Sequence, residues 1–341
     1  MTTQTDPQPD ALPLTAAQGE LHKFLFEGVP VRGMLVKLTG AWQQMLAARR
    51  DSGEFPVPVR QLLGQMSAAA ILMQANIKFN GALILQMHGD GPLKLAVAEV
   101  QPDLGLRATA QIVGIVEASD GLPQLLDRHG GGRCAITLDP KDRLPGQQPY
   151  QGVVPLAVHD EAGQRQPLQN LAEVLEHYMR QSEQLDTRLV LAADDRCAAG
   201  LLIQRLPGEG GHAGAHEASD EAREAFHHLA LLAGTLKAEE LLGLPADTIL
   251  HRLFWEQDIR RFEPLTGELG PRFACTCSRQ RVGRMLIGLG QAESEGLIAE
   301  RGQVEVGCEF CGRQYRFDAI DVAELFRSGS HPEPEAGPTL Q

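Results

Sequence analysis

Four of the six cysteines in this 341-residue chain stand near its C-terminus, as Cys275-Thr276-Cys277 and, after thirty intervening residues, Cys308-Glu309-Phe310-Cys311. Two closely spaced thiol pairs facing each other across a long excursion are what a tetrahedral zinc site requires. In an extended segment residues i and i+2 project to the same side, so both sulfurs of the CxC can reach one ion. The CxxC converges only if the chain turns, and Gly312 directly after Cys311 tolerates the positive φ that such a turn uses. Gln314-Tyr315-Arg316-Phe317 then reads as a strand leaving the turn. No histidine occurs between Phe262 and Phe326. A four-ligand site in this segment is therefore all-cysteine unless a carboxylate or a distant histidine enters it.

Two other chemistries use such cysteines. Disulfide frameworks belong to oxidising compartments, and reactive dithiols to thioredoxin-like enzymes. Residues Met1 to Ala17 are polar, hold three prolines and lack the basic start and the apolar run of roughly 7 to 15 residues that make a signal peptide. No stretch approaches the ~18 apolar residues of a membrane span. The expected setting is cytoplasmic, where thiols stay reduced, which favours zinc over permanent disulfides. The segment around the four cysteines, about 60 residues, has few large apolar side chains, so metal ligation is expected to supply most of its folding energy, on the order of 10 kcal/mol.

Length suits two domains with connecting elements, and 43% hydrophobic residues are enough for one substantial core. A net charge of −13 disfavours nucleic acid, whose phosphates attract basic surfaces. Arg279, Arg281 and Arg284 form a local basic cluster beside the CxC. It reads as a solvated helix face ahead of a phosphate site, with support of the thiolate state as a further role.

The elements that must position these residues follow from periodicity and punctuation. A strand candidate runs over Gly28–Leu38, with helical patterns over Leu38–Arg50 and Val59–Gln74. Runs at Ile77–Met87 and Pro92–Val100 around Gly89-Asp90-Gly91 predict a β-hairpin. The glycines there belong to a turn; no G-x-x-x-x-G-K-[ST] occurs, which argues against a nucleotide-binding P-loop. Cys134–Leu138 and Tyr150–Leu156 predict further strands of the same sheet. Leu171, Val174, Leu175 and Tyr178 mark a helix, and Thr187–Ala192 and Ala199–Leu206 two more strands. Cys134 and Cys197 have no evident partner and read as buried and inert.

Residues 209 to 221 read as a low-complexity spacer in which His212 and His216 have metal-like spacing, although a glycine-rich loop is a poor ligand platform. Leu229, Leu232 and Leu236, then Leu241, Leu242 and Leu244, then Ile249, Leu250, Leu253, Phe254 and Trp255 mark short helices broken by Gly243 and Pro245. Helices below ~12 residues are marginal alone, so these must dock on a neighbour. The docking is either ordinary packing or conditional on the adjoining metal unit, in which case its loss frees an apolar surface.

Cys275-Thr276-Cys277-Ser278-Arg279 with Cys308-Glu309-Phe310-Cys311-Gly312, preceded by Leu253-Phe254 and Phe262-Glu263-Pro264, resembles the thirty-three-kilodalton heat shock protein family of redox-regulated chaperones. Phe79-Asn80-Gly81, Gly91-Pro92-Leu93, Ser182-Glu183-Gln184 and Gly200-Leu201-Leu202-Ile203-Gln204 are similar to the family's N-terminal domain, so the resemblance spans about 20 to 327.

That resemblance implies an α+β fold in three parts: an N-terminal client-binding and dimerisation domain over 18–208, a metastable helical linker over 209–265 and a zinc-binding redox-switch domain over 266–327. Tails at 1–17 and 328–341 are expected to be disordered. It implies a non-enzymatic holdase that binds unfolding client proteins without nucleotide, nucleic acid or membrane, and dimerises when active. One Zn2+ is implied on Cys275, Cys277, Cys308 and Cys311 in the reduced state. Oxidation is implied to join Cys275 with Cys277 and Cys308 with Cys311, release the metal and unfold the linker. Sulfenic acid formation and condensation give that switch a chemical basis. The alternatives are a zinc-ribbon nucleic-acid-binding regulator, disfavoured by charge, and a thiol-disulfide oxidoreductase, whose CxxC normally opens a helix.

Overall fold

The computed structural model describes residues 18–50, 53–142, 146–207 and 215–328. The expected tail 1–17, residues 329–341 of the second tail, and His212 lie outside the described residues. Two compact units part between Ala274 and Cys275.

The first unit begins with strands β1 (Gly19–Phe26) and β2 (Val31–Leu38), helices α1 (Gly40–Ala48) and α2 (Val57–Asn76), and strands β3 (Gly81–His88), β4 (Leu93–Val100) and β5 (Gly105–Ile112). A short α3 (Leu122–Leu126), strands β6 (Arg133–Pro140) and β7 (Tyr150–Pro155), a small hairpin of β8 (Ala157–His159) and β9 (Arg165–Pro167), and α4 (Leu171–Tyr178) follow. Next come β10 (Thr187–Ala193), β11 (Ala198–Arg205), and helices α5 (Ala215–Gly234), α6 (Ala238–Gly243) and α7 (Ala246–Phe254). The unit closes with the short strands β12 (Ile259–Arg261) and β13 (Arg272–Phe273).

These strands build two principal sheets. One has the order β10-β11-β2-β1-β12 and is antiparallel throughout; the other runs β13-β5-β4-β3-β6-β7, antiparallel except where β13 lies parallel to β5. The predicted hairpin is present as β3 and β4, and the strands expected at Cys134–Leu138 and Tyr150–Leu156 join its sheet. The Gly89-Asp90-Gly91 turn serves structure: the Asp90 carboxylate accepts from the Gly131 amide at 2.6 Å and the His129 amide at 3.2 Å.

Helix α2 is apolar on almost every face, and a helix of that kind must be covered on all sides. It packs against both sheets, its Leu62, Met66, Ile71 and Leu72 buried with Met34, Val36 and Leu202 of one and Leu83, Ala98 and Leu106 of the other. Because side chains alternate across a strand, the other face of β2 presents Val31, Leu35 and Lys37. There helices α5 to α7 dock: Leu229, Ala233 and Leu236 with Leu241, Ile249, Leu250, Leu253 and Phe254 form a second buried cluster with Phe24, Phe26, Leu35, Leu201 and Ile203. The Phe24, Phe26 and Phe254 rings meet edge-to-face or tilted, with centroids 5.0 to 6.2 Å apart. The Phe24 ring occupies the space above Gly33, where a Cβ would come within 2.1 Å of it.

One polar anchor lies inside this interface. Lys37, 7% exposed, donates from Nζ to the carbonyls of Leu242 at 3.1 Å and Leu244 at 2.5 Å, which end α6 and lead into α7. Those carbonyls have no intrahelical partner, so a buried ammonium caps them.

Three details differ from expectation. The first strand candidate breaks at Gly28 (φ +80), which separates two strands rather than sitting inside one. Part of the expected spacer, from Ala215 onward, is the first turns of α5. Leu236 lies just beyond that helix yet is still buried by the sheet. Among the described residues no helix is long and apolar enough to cross a membrane.

Candidate metal centre

The second unit opens with Cys275-Thr276-Cys277 in extended backbone. Ser278 then caps α8 (Arg279–Leu289), its hydroxyl accepting from the Arg281 amide at 3.2 Å. Gly290 (φ +104) turns the chain into α9 (Gln291–Arg301), which ends at Gly302 in the left-handed region. Strand β14 (Val304–Gly307) pairs antiparallel with β15 (Gln314–Phe317), and α10 (Ala319–Ser328) follows. Between the strands Cys308–Gly312 folds into a tight knuckle: the Gly312 amide donates to the Cys308 carbonyl at 2.8 Å and the Cys308 amide to the Arg313 carbonyl at 2.9 Å. Gly312 has φ +71, the conformation its position in the motif requires.

The extended CxC and the turned CxxC meet. Their four sulfurs lie within 4.8 Å of one another, the Cys275–Cys308 pair at 3.7 Å and the Cys277–Cys311 pair at 3.4 Å. A tetrahedron of Zn–S bonds near 2.3 Å has edges of about 3.8 Å, so the donor set and its spacing fit zinc. All four thiols are free and half-buried. The expected ligands are thus brought together, and no other group of three or more metal-binding side chains occurs among the described residues.

Crowding of the thiols divides their proton affinities. The Cys308 sulfur is held far below the usual thiol range because Cys275 and Cys311 donate to it and the Cys311 and Phe310 amides point at it. Cys275, the thiol that donates to Cys308, is pushed up to about 11. Cys311 is raised as well, by its bonds to Cys275 and Cys308. The protons that the thiols share among themselves are those that a divalent cation bound there would replace.

The scaffold around the site is small. Leu286, Val304, Tyr315, Phe317 and Val322 are its buried apolar residues, with Cys277 and Cys308 packed against them. The basic cluster is largely used internally. Arg279 donates to the Arg316 carbonyl at 2.6 Å, pairs with Asp321 at 2.7 Å and lies 4.3 Å from the Phe317 ring centroid. Arg281 donates to the Thr276 carbonyl and hydroxyl at 2.9 and 2.6 Å, fixing the middle of the CxC. Neither arrangement is a phosphate site.

The remaining cysteines lie elsewhere. Cys134 on β6 is fully buried and pushed up to about 12 by that burial; Cys197 is buried and raised for the same first reason. Neither has a sulfur partner. One contributor to the centre escapes sequence reading: the Tyr315 hydroxyl donates to Cys277 Sγ at 3.1 Å. Its signal was the phenol itself, since a tyrosine on the inward face of a strand needs a partner for its O–H.

A family model described as Hsp33 protein matches residues 19–318. The 33 kDa chaperonin of Chromobacterium violaceum is 47% identical over 307 residues, covering 90% of this chain and 93% of that protein. The 33 kDa chaperonin of Neisseria meningitidis serogroup B is 44% identical, covering 89% and 90%. In three dimensions the chain is similar to the crystal structure of the 33 kDa chaperonin (heat shock protein 33 homolog) of Thermotoga maritima, with a TM-score of 0.69 at 19% identity, covering 92% of this chain and 98% of that one.

Proposed function

The chain belongs to the Hsp33 protein family, and on that premise we propose that it is an ATP-independent holdase chaperone, cytoplasmic and switched on by oxidation. The observation that carries the reading is the meeting of four free sulfurs within 4.8 Å in a unit with five buried apolar side chains among the described residues. A zinc ion bound there would keep the four sulfurs deprotonated and tie the CxC to the CxxC. Structural zinc is worth about 10 to 16 kcal/mol, as much as the stability of a whole domain, so the unit's fold depends on its sulfurs.

Peroxide converts one thiolate to a sulfenic acid and is itself reduced to water or hydroxide. The neighbouring thiol then displaces that oxygen as water, leaving a disulfide. Two such events consume four thiols and two peroxides, and a sulfur held in a disulfide no longer ligates. The pairing assigned is Cys275 with Cys277 and Cys308 with Cys311. It rests on family resemblance, since the four sulfurs are close enough for other pairings. Loss of the metal-held fold then frees α5 to α7 from the sheet, so that Phe24, Phe26, Leu35 and Leu201 become available to unfolding clients, and the active protein dimerises.

The test is a peroxide series with mild heat. About one zinc per chain and four thiols should disappear together as suppression of client aggregation rises. Zinc retained through activation, or equal suppression by the reduced protein, would overturn the switch. Peptide mapping of the oxidised form reads the pairing directly, and cross-motif disulfides would reject the assigned one.

A further inference from the structure

Main-chain amides hydrogen-bond Cys275 (from Cys277), Cys308 (from Phe310 and Cys311) and Cys311 (from Arg313). Such donors come with the backbone of the knuckle and the CxC. Cys277 is served by a side chain. The Tyr315 hydroxyl lies 3.1 Å from its Sγ, and the Tyr315 ring is 7% exposed within the small core of the unit. On β15 Tyr315 faces Val306 across the ladder, so the strand pairing fixes where the ring stands.

The direction of this bond follows from a second contact. The Arg313 side chain hydrogen-bonds the same phenol. A guanidinium has donors and no acceptor, so the phenol oxygen accepts from Arg313 and its own proton is left for the sulfur. We propose that Tyr315, oriented by Arg313, is a positioning residue of the metal centre whose donated hydrogen bond restrains the nucleophilicity of Cys277. A proton donated to a thiolate draws on its lone pair and occupies a direction from which an electrophile approaches. Sulfur nucleophilicity falls with basicity, and outer-shell partners tune metal ligands in this way. The inference rests on the proposed zinc site and adds to it a residue that sets how readily one ligand reacts.

The experiment uses full-length, reduced, zinc-loaded protein and iodoacetamide, with alkylation at each cysteine followed by mass spectrometry. The reaction forms one S–C bond, expels iodide and changes no oxidation state. Tyr315→Phe keeps the buried ring and removes only the hydroxyl. Cys277 should then alkylate roughly tenfold faster while Cys275, Cys308 and Cys311 change little, and chelator competition should show zinc held about tenfold more weakly. Site-specific 3-fluorotyrosine at position 315, a stronger donor of nearly the same shape, should slow Cys277 instead and guards against a folding defect in the first variant. An unchanged Cys277 rate in both variants, or a common rise at all four cysteines, overturns the role. Wild-type protein that holds no zinc overturns this inference and the proposed function together. Zinc-bound wild type with a Tyr315→Phe variant no different at Cys277 overturns this inference alone.

Discussion

Replacing Lys37 by methionine tests how the linker is held. Methionine keeps an unbranched stem in the same space and removes the three N–H donors. The carbonyls of Leu242 and Leu244, now 3.1 and 2.5 Å from Nζ, lose their partner where α6 ends. Leaving a buried acceptor unpaired costs about 1 to 3 kcal/mol, and two such acceptors therefore about 2 to 6. Relief from burying an ammonium that is 7% exposed offsets about half of that loss. Glu20, opposite Lys37 on β1, also loses a cation that, after the His22 imidazole 3.2 Å away, helps hold its carboxyl below the usual range. A net weakening of linker docking by about 2 kcal/mol is expected, which is about 30-fold in the docked-to-undocked ratio. Hydrogen exchange of the reduced, zinc-loaded variant measures it. Amides of residues 238–254 should exchange about 30-fold faster while those of β2, β11 and α2 hold their wild-type protection, and aggregation suppression should appear without oxidant. Unchanged exchange in 238–254 would show that apolar packing alone holds the linker, and a uniform rise across β2 and β11 would reduce Lys37 to an ordinary core residue.

Two further outcomes bear on the metal centre. Zinc must displace the protons of at least Cys275, pushed up to about 11, and Cys311, also raised, so binding at pH 7 should release at least two protons. Affinity consequently falls as pH falls, and calorimetry in buffers of different ionisation heats that gives fewer than two protons would refute the assignment. Cys308→Ser removes the sulfur on which Cys275 and Cys311 converge. It should abolish stoichiometric zinc, lose the helical circular dichroism of α8 to α10 and suppress aggregation without peroxide. A variant that stays zinc-loaded and inert contradicts this.

The site was more legible in the sequence than the sheet edges that surround it. Its ligands come in local pairs whose backbone geometry follows from spacing, so extended Cys275–Cys277 and the turn at Gly312 could be read without knowing any distant contact. The long apolar α2 and the β3–β4 hairpin were legible for the same reason, a strong local period or an Asp-Gly turn. Strand β1 was not. Its sequence GELHKFLF is buried on both faces, with Leu21 toward α2 and Phe24 and Phe26 toward the linker, which erases the alternation that marks a strand. Nor were β12 and β13, whose existence depends on edges supplied more than 160 residues earlier in the chain. Tyr315 and Lys37 share that difficulty. The first meets a sulfur 38 positions away and the second carbonyls 205 and 207 positions away, and no local pattern encodes either contact.

Those late, edge-added pieces bear on how a change at the metal centre would reach the linker. Between α7 and Cys275 the chain is attached to the first unit only in short pieces. β12 adds three residues to the edge of β1, Leu21 and Leu265 exchange two amide-to-carbonyl hydrogen bonds of 3.0 and 2.9 Å, and β13 contributes two residues beside β5. The last of these is held by the Arg272 amide on the Leu104 carbonyl at 3.2 Å, the Ala274 amide on the Leu106 carbonyl at 2.9 Å, the Arg272 guanidinium on the Asp103 carbonyl at 2.6 Å and on its carboxylate, and Phe273 against the core. At about 0.5 to 1.5 kcal/mol each, the two main-chain bonds contribute about 1 to 3 kcal/mol, and the partly exposed Arg272–Asp103 pair adds about 0 to 1. This is a small fraction of what a structural zinc supplies to the unit that begins at the next residue. Under the proposed function, loss of the metal-held fold leaves β13 as a frayed end. Local opening starts at such ends and proceeds through the least protected neighbours, here the Leu265 bridge and β12, before it reaches the apolar anchor of Phe254 on Phe24 and Phe26. The linker is then opposed by its apolar cluster on Phe24, Phe26, Leu35, Leu201 and Ile203 and by the Lys37 cap on α6, all on one face of one sheet, so loss of that cap lowers the resistance that remains.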